Sequence, residues 1–297
     1  MPWWRGRPVC CPGDDRLKAA VIGAGTMGRG IAQVFAQSGH DVVLTDMNQE
    51  VLPSALKNIG DSLERLRKKS LIEEEPSQVL TRIRTVKQID EIGQNDIYIE
   101  AIFEKLNAKM DLFRIIDRIA PKSSIIASNT SSISINLLST TVKAPGRFIG
   151  MHFFNPVPVM KLVEIIKAER TEQSTVESVV AIARGLGKEP VTSKDFPGFI
   201  SNRILMPILK EAMLCLQEGV STAQEIDRTA KLGLNHPMGP LELSDFIGLD
   251  VVMDIMEVLY TEFGEERFKP PIILRNMVNS GMLGRKSGIG FYRYGEE

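Results

Sequence analysis

The feature that most constrains this chain is a glycine-rich turn between an apolar strand and a helix. Gly23, Gly25 and Gly28 have the spacing GxGxxG and directly follow the apolar run LKAAVI. In a βαβ unit, such a turn presents backbone amides and the positive end of the helix dipole to a pyrophosphate. Asp46 ends the next apolar run, eighteen residues after Gly28, where a carboxylate accepts hydrogen bonds from ribose hydroxyls. The pattern predicts a dinucleotide site with a loop formed by Gly23, Gly25, Thr26, Met27 and Gly28.

The residues around Asp46 indicate which dinucleotide is bound. A carboxylate repels a ribose 2′-phosphate, and the following residues, Met47, Asn48 and Gln49, supply no arginine to bind one. NAD is therefore favoured over NADP. Two alternatives remain at this stage, namely FAD and a tight glycine turn that binds no nucleotide.

The order of apolar runs predicts the fold class and the domains. Eight short runs rich in β-branched residues alternate with helical stretches up to residue 199, which is typical of an α/β protein. A charged helical stretch, residues 51–80, interrupts them, with Leu56, Ile59, Leu63 and Leu66 on one face. We predict a Rossmann-type doubly wound sheet with an inserted helical hairpin over residues 17–199, plus a C-terminal all-helical domain over residues 200–297. Residues 1–16 are expected to be a disordered extension.

Charge and cysteine content exclude several functional classes. The 36 basic and 37 acidic residues nearly cancel, so no overall field attracts nucleic acid or an anionic membrane. No apolar stretch reaches the roughly 18 residues of a membrane span. The three cysteines have no metal-ligand spacing, so no metal site is predicted, and their small number favours a reducing compartment. We expect a bacterial cytoplasmic protein, with the mitochondrial matrix as the alternative.

Three polar side chains are candidates for proton transfer. Of the three histidines, only His152 ends a predicted strand, whereas His40 and His236 are expected to be structural. Ser131 also follows a strand, and ligands of parallel sheets bind beyond the carboxyl ends of the strands. Glu164 lies in the apolar run KLVEII, where a buried carboxylate needs a partner such as an imidazole. The pattern predicts a His–Glu dyad.

Each of these assignments has a structural alternative that the residue pattern leaves open. The pattern fits equally a buried structural role for His152 and a solvent-facing position on an edge strand for Glu164. Ser131 suits the N-cap of a helix predicted over residues 133–138. For Asn202, the alternative is an ordinary polar residue near the start of a helix, with no catalytic role.

Four segments carry a family resemblance: SNTSS (128–132), GMHFFNPVPVMKLVEII (150–166), DFPGFISNR (195–203) and HPMGPLELSDFIGLD (236–250). They closely resemble the short-chain L-3-hydroxyacyl-CoA dehydrogenase family, which includes bacterial 3-hydroxybutyryl-CoA dehydrogenases, and the match runs in order from about Leu17 to Tyr294. The resemblance implies that His152 takes the 3-hydroxyl proton and that Glu164 supports it. It also implies that Ser131 and Asn202 hold the substrate oxygen. Around the nicotinamide, it implies roles for Glu104, Lys109, Asn155 and Lys286.

The resemblance further implies how the substrate is bound and how the chain assembles. Ser62 and Lys69 of the helical hairpin, together with Ser131, are expected to bind CoA, although a solvated helix face explains the charged run 65–69 equally well. The helical domain is expected to form a homodimer and to close over the sheet domain. The apolar positions Ile247, Val251, Val252, Ile255 and Leu259 fit that interface or an ordinary helical core. Two alternative functions are oxidation of a free hydroxy acid and a catalytically silent dinucleotide-binding role.

Overall fold

The computed structural model describes residues 16–295. Apart from Arg16, the predicted disordered extension lies outside the described residues, as do Cys10 and Cys11. The described residues divide into two compact units, one ending at Asp195 and the other beginning at Phe196.

The first unit is built on an eight-stranded sheet. Four of its strands, β1, β4, β5 and β6, are almost wholly buried, as expected for strands covered on both faces. The strands are β1 Lys18–Ile22, β2 Asp41–Thr45, β3 Ile83–Val86, β4 Ile97–Glu100, β5 Ile125–Ser128, β6 Phe148–Phe153, β7 Leu162–Lys167 and β8 Glu189–Lys194.

The strand order explains where a ligand is expected to bind. Along the sheet the order is β3-β2-β1-β4-β5-β6-β7-β8. The first six strands along the sheet are parallel. Strand numbers fall from β3 to β1 and then rise from β4, so the direction in which the chain adds strands reverses between β1 and β4. A crevice forms beyond the carboxyl ends of strands at such a switch point. Strand β7 is antiparallel to β6, because residues 154–161 are too few for a crossover of about a dozen residues or more.

Within residues 16–195, six α-helices accompany the sheet, including the inserted hairpin. The hairpin helix α2 buries Ile59, Leu63 and Leu66, as its spacing predicts, whereas Leu56 is only half-buried. Pro76 opens α3 at a position where no amide donor is needed. The helices are α1 Thr26–Gln37, α2 Val51–Lys68, α3 Pro76–Thr81, α4 Leu106–Ile119, α5 Ile135–Ser139 and α6 Gln173–Gly185. The predicted α/β fold with an inserted hairpin is confirmed.

The structure excludes the alternative in which Ser131 caps the helix after β5. Helix α5 begins at Ile135, and its N-cap is Ser134, whose Oγ accepts a hydrogen bond from the Leu137 amide at 3.2 Å. The hydroxyl of Ser134 in turn donates to Asp195 at 2.7 Å. Ser131 therefore precedes the helix and does not cap it.

The second unit is all-helical, as predicted. Its core includes Met206, Met256 and Phe268, all almost fully buried. Val252 and Leu259, which were considered for a dimer interface, are fully buried in the same core and are therefore not surface positions. The helices are α7 Ser201–Gln217, α8 Ala223–Gly233, α9 Pro240–Ile247, α10 Leu249–Phe263 and α11 Ile272–Asn279.

Candidate active site

The turn between β1 and α1 needs glycine because neighbouring backbone leaves no room for side chains. Gly23 has a φ of +107°, and a Cβ there would lie 2.4 Å from the carbonyl oxygen of Ala101. A Cβ on Gly28 would lie 1.7 Å from the carbonyl oxygen of Gly23, whereas Gly25 faces open space. Within the described chain, neither a side-chain cap nor an acidic residue occupies the first turn of α1. This helix N-terminus therefore fits a pyrophosphate.

Asp46 is fixed beside that turn. Its Oδ2 accepts a hydrogen bond from the Ala24 amide at 2.7 Å, and its Oδ1 accepts one from the Asn48 amide at 2.9 Å. These bonds hold a negative charge just beyond the end of β2. The position suits a ribose diol and disfavours a 2′-phosphate.

His152 and Glu164 face each other across the antiparallel pair β6 and β7. They are register partners, and the distance from His152 Nδ1 to Glu164 Oε2 is 2.9 Å. Glu164 is 1% exposed and β7 lies between β6 and β8, so the edge-strand alternative for this residue is wrong. A carboxylate on Nδ1 favours the tautomer that carries its hydrogen there, which leaves Nε2 as the atom that can accept a proton.

Glu104 shapes the loop that follows β5. Its Oε1 accepts hydrogen bonds from the amides of Ser131 and Ser132, at 3.0 and 3.1 Å, and from the hydroxyl of Thr130. Burial acts to raise the pKa of Glu104. The ammonium of Lys109, 3.1 Å away, and the hydrogen bonds to the loop outweigh burial, so the pKa lies below its ordinary value. The predicted nicotinamide residue Glu104 is thus joined to the loop of Ser131.

A second carboxylate, Glu100, lies at the end of β4 and is fully buried. Lys109 Nζ, 1% exposed, donates to Glu100 Oε1 at 2.5 Å, and Ser128 Oγ donates to Oε2 at 2.6 Å. Burial raises the pKa of Glu100, against the lowering effect of Lys109 and the other donors. Glu100, Lys109 and Glu104 therefore form one charge cluster, in which Glu100 and Lys109 are buried and Glu104 is exposed.

A polar groove runs between α1, α2 and residues 155–158. Thr26, Arg29, Ser62, Arg65 and Asn155 are among the residues that line it. The structure thus brings together two predicted cofactor residues, Thr26 and Asn155, and one predicted CoA residue, Ser62. Lys69, the other hairpin residue predicted to contact CoA, is exposed at the C-terminal end of α2.

Two predicted site residues belong to the second unit. Asn202 lies in the first turn of α7, is 8% exposed, and donates its backbone amide to the carbonyl of Gly198 at 3.1 Å. Lys286 lies in the segment GRKSG, where its ammonium pairs with Asp250 at 2.5 Å.

Sequence reasoning missed several residues that hold the site together. Asn129 Oδ1 accepts a hydrogen bond from the Phe153 amide at 2.9 Å and so joins the loop after β5 to the strand of His152. Lys188, buried and with a pKa lowered by burial, donates to the carbonyls of Val157 and Met160. No local pattern marked either contact. Glu100 carried the same signal as Glu164, namely an acid in an apolar strand, and could have been found.

No helix within residues 16–295 is long and apolar enough to cross a membrane. The same range contains no cluster of three or more His, Cys, Asp or Glu residues that is arranged to hold a metal ion.

Comparison with known proteins places the chain in a family. Residues 18–196 match the family model of the 3-hydroxyacyl-CoA dehydrogenase NAD-binding domain, and residues 198–294 match that of the 3-hydroxyacyl-CoA dehydrogenase C-terminal domain. A "Probable 3-hydroxybutyryl-CoA dehydrogenase" of Deinococcus radiodurans is 50% identical over 94% of this chain and all of the relative. A 3-hydroxybutyryl-CoA dehydrogenase of Clostridioides difficile is 43% identical over 94% of this chain and 99% of the relative.

Among solved structures, an (S)-3-hydroxybutyryl-CoA dehydrogenase from Ralstonia eutropha is 45% identical, with a TM-score of 0.91 over 95% of this chain and 100% of that structure. These matches confirm the predicted resemblance, the enzyme class and NAD as cofactor. The chain therefore belongs to the 3-hydroxyacyl-CoA dehydrogenase family of NAD-dependent enzymes.

Proposed function

We propose that this chain interconverts short-chain (S)-3-hydroxyacyl-CoA thioesters, such as 3-hydroxybutyryl-CoA, and the corresponding 3-ketoacyl-CoA thioesters. The observation that carries the proposal is the buried contact between His152 and Glu164, 2.9 Å long, at the carboxyl edge of the sheet that also holds the glycine turn. A base at that edge is what oxidation of a secondary alcohol requires.

The reaction removes a proton from the 3-hydroxyl group and a hydride from the carbon that bears it. NAD, when bound, supplies the hydride acceptor. His152 takes the hydroxyl proton on Nε2, and Glu164 stabilises the positive charge that then develops on the ring. By the family resemblance, Ser131 and Asn202 hold the substrate oxygen. In the reverse direction His152 returns the proton to the same oxygen.

The nicotinamide half of NAD is assigned to Glu104, Lys109, Asn155 and Lys286. The ammonium of Lys109 is buried between two carboxylates, so it is fixed in position. A fixed charge needs no reorganisation during the reaction, which suits a group that aligns a cofactor.

CoA is assigned to the hairpin side of the polar groove. Ser62 lines this groove next to Arg65, and Arg29 contributes a second guanidinium from α1. Guanidinium groups bind phosphates in a bidentate manner, and CoA carries phosphates. Ser62, Lys69 and Ser131 remain the residues that we expect to contact CoA.

We also propose that the chain forms a homodimer through its helical unit. Ile204 and Ile208 follow each other at helical spacing on α7 and are 59% and 40% exposed. Exposed apolar side chains at this spacing are typical of an interface. Light scattering on the wild type and on an Ile204→Glu variant tests the assignment, and a wild-type monomer would contradict it. We expect a role in fatty-acid and butanoate metabolism in a bacterial cytoplasm, or else in a mitochondrial matrix.

The test of function is steady-state oxidation of NADH and of NADPH with acetoacetyl-CoA, run beside His152→Ala. We expect NADH consumption only with the thioester and a loss of about 10²–10⁴-fold in the variant, the range for a general base. His236→Ala is the matched control, because this histidine is half-buried in a loop of the second unit.

Each other outcome identifies an alternative function. NADH consumption with a free keto acid but not with the thioester indicates a hydroxy-acid dehydrogenase. NADH binding without turnover of either compound indicates a silent dinucleotide-binding protein. Equal rates with NADPH would contradict the role of Asp46.

A further inference from the structure

We infer that Glu100 is a positioning residue for the proposed reaction, because its buried carboxylate fixes the ammonium of Lys109. Through Ser128, the same carboxylate also fixes the loop that carries Ser131. The inference rests on the proposed function, since it takes Lys109 to face the cofactor and Ser131 to face the substrate.

The sheet itself does not require a charge at this position. Glu100 ends β4, a central strand that is buried throughout and pairs with β1 and β5. Removing a carboxylate and an ammonium from water is energetically unfavourable, and apolar residues of similar volume often replace a buried ion pair without loss of stability. A buried pair in such a strand is therefore weak evidence for stability and suggests a role in geometry.

The donors to Glu100 come from three separate segments. The Ile102 amide, in the turn after β4, donates to Oε1 at 2.8 Å. Lys109 of α4 donates to the same oxygen at 2.5 Å, and Ser128 at the end of β5 donates to Oε2 at 2.6 Å. One carboxylate thus ties together three chain segments at the edge of the sheet where the ligand crevice is expected.

Two routes of direct contact lead from Glu100 to the loop of Ser131. Along the first, Ser128 Oγ donates to Glu100 and accepts the amide of Thr130 at 3.3 Å. Along the second, Lys109 bridges to Glu104, which accepts the amide of Ser131 at 3.0 Å. Without the charge on Glu100, Lys109 keeps Glu104 as its carboxylate partner, and both the ammonium and the loop are free to shift.

The experiment is a double-mutant cycle read by NADH affinity and by turnover. Glu100→Gln keeps the size of the side chain and an acceptor oxygen but removes the charge that faces Lys109. We expect NADH to bind about tenfold more weakly and kcat to fall by up to about a hundredfold, the range for a reacting group misplaced by about 1 Å. The KM for acetoacetyl-CoA should change much less than kcat.

The cycle separates positioning from a general loss of structure. If Glu100 acts through Lys109, the double variant, which combines Glu100→Gln with Lys109→Met, should have the same affinity for NADH as the single variant Lys109→Met, to within about twofold. Glu189→Gln is the matched control, because this glutamate is exposed at the start of β8. Thermal unfolding of every variant verifies that it is folded.

Two results would overturn the inference. One is a Glu100→Gln variant that matches the wild type in both NADH affinity and kcat. The other is full additivity of Glu100→Gln and Lys109→Met in their effects on NADH affinity. Should Glu100→Gln not fold, Ser128→Ala takes its place, since it removes both the donor to Oε2 and the acceptor of the Thr130 amide, and an unchanged kcat then refutes the role of Glu100 in fixing the loop of Ser131. NADH affinity is measured without thioester, so a wild type that binds NADH but does not turn over contradicts the proposed function alone.

Discussion

Replacing Glu164 by glutamine tests the dyad, because it removes one charge and keeps the shape of the side chain. When His152 accepts a proton, a positive charge develops 2.9 Å from the carboxylate oxygen. At an effective dielectric constant of about 20, the attraction between unit charges at that distance is about 6 kcal/mol. The glutamine oxygen keeps a neutral hydrogen bond worth about 1 kcal/mol, and the charge is only partly developed in the transition state.

These corrections leave about 3–4 kcal/mol, which corresponds to a loss of about two to three orders of magnitude in kcat. The assay is NADH oxidation at saturating acetoacetyl-CoA, with NADH affinity measured separately and expected to be unchanged. Glu189→Gln, the same substitution at an exposed site on β8, is the control and should retain wild-type kcat. A folded Glu164→Gln variant with a kcat within about threefold of the wild type, less than about 1 kcal/mol, would refute the reasoning.

Three further predictions concern the cofactor turn and stability. Gly28→Ala should abolish NADH binding in a fluorescence titration, because its Cβ would lie 1.7 Å from the Gly23 carbonyl oxygen, whereas Gly185→Ala, at an open position, should bind normally. The hydrogen bond with Arg82 is the main cause of the lowered pKa of Glu74. The Glu74–Arg82 pair therefore stabilises the fold above the ordinary pKa of 4.5, and this contribution is lost as the pH falls through the lowered pKa. Glu74→Gln should therefore reduce the free energy of unfolding by no more than about 1 kcal/mol at neutral pH and should leave it unchanged in strong acid. Urea melts of both proteins measure this, and an equal difference between wild type and variant at the two pH values would contradict the prediction. Ser134→Ala should destabilise the protein by about 1 kcal/mol through loss of the α5 cap, and an unchanged melting temperature would argue against that role.

Features with a local signal could be predicted from the sequence. The glycine turn is marked by its spacing, and each strand by its own run of apolar residues. Glu164 was noticeable because a single acid stood in an apolar run, and His152 because it ended one. The fold class follows from the order of such runs along the chain.

Contacts between distant segments could not be predicted in this way. Asn129 meets the Phe153 amide, and Glu104 meets the loop of Ser131, only once the sheet has brought the strand ends together. The buried position of Lys188 is a similar case, because a lysine at a strand start ordinarily faces solvent. The N-cap of α5 could not be assigned from the sequence, because several serines in succession offer equivalent caps.

The pairing of β6 with β7 makes the His152–Glu164 contact independent of the segment that joins the two strands. The two residues are opposite each other by strand register, so residues 154–161 can change in length or composition while the pair stays in place. A slip of one residue in that register would instead turn Glu164 to the other face of the sheet. The joining segment lines the polar groove through Asn155. The groove that this segment lines and the proton-transfer pair thus depend on separate parts of the β6–β7 unit, so the segment can be redesigned while the pair keeps its geometry.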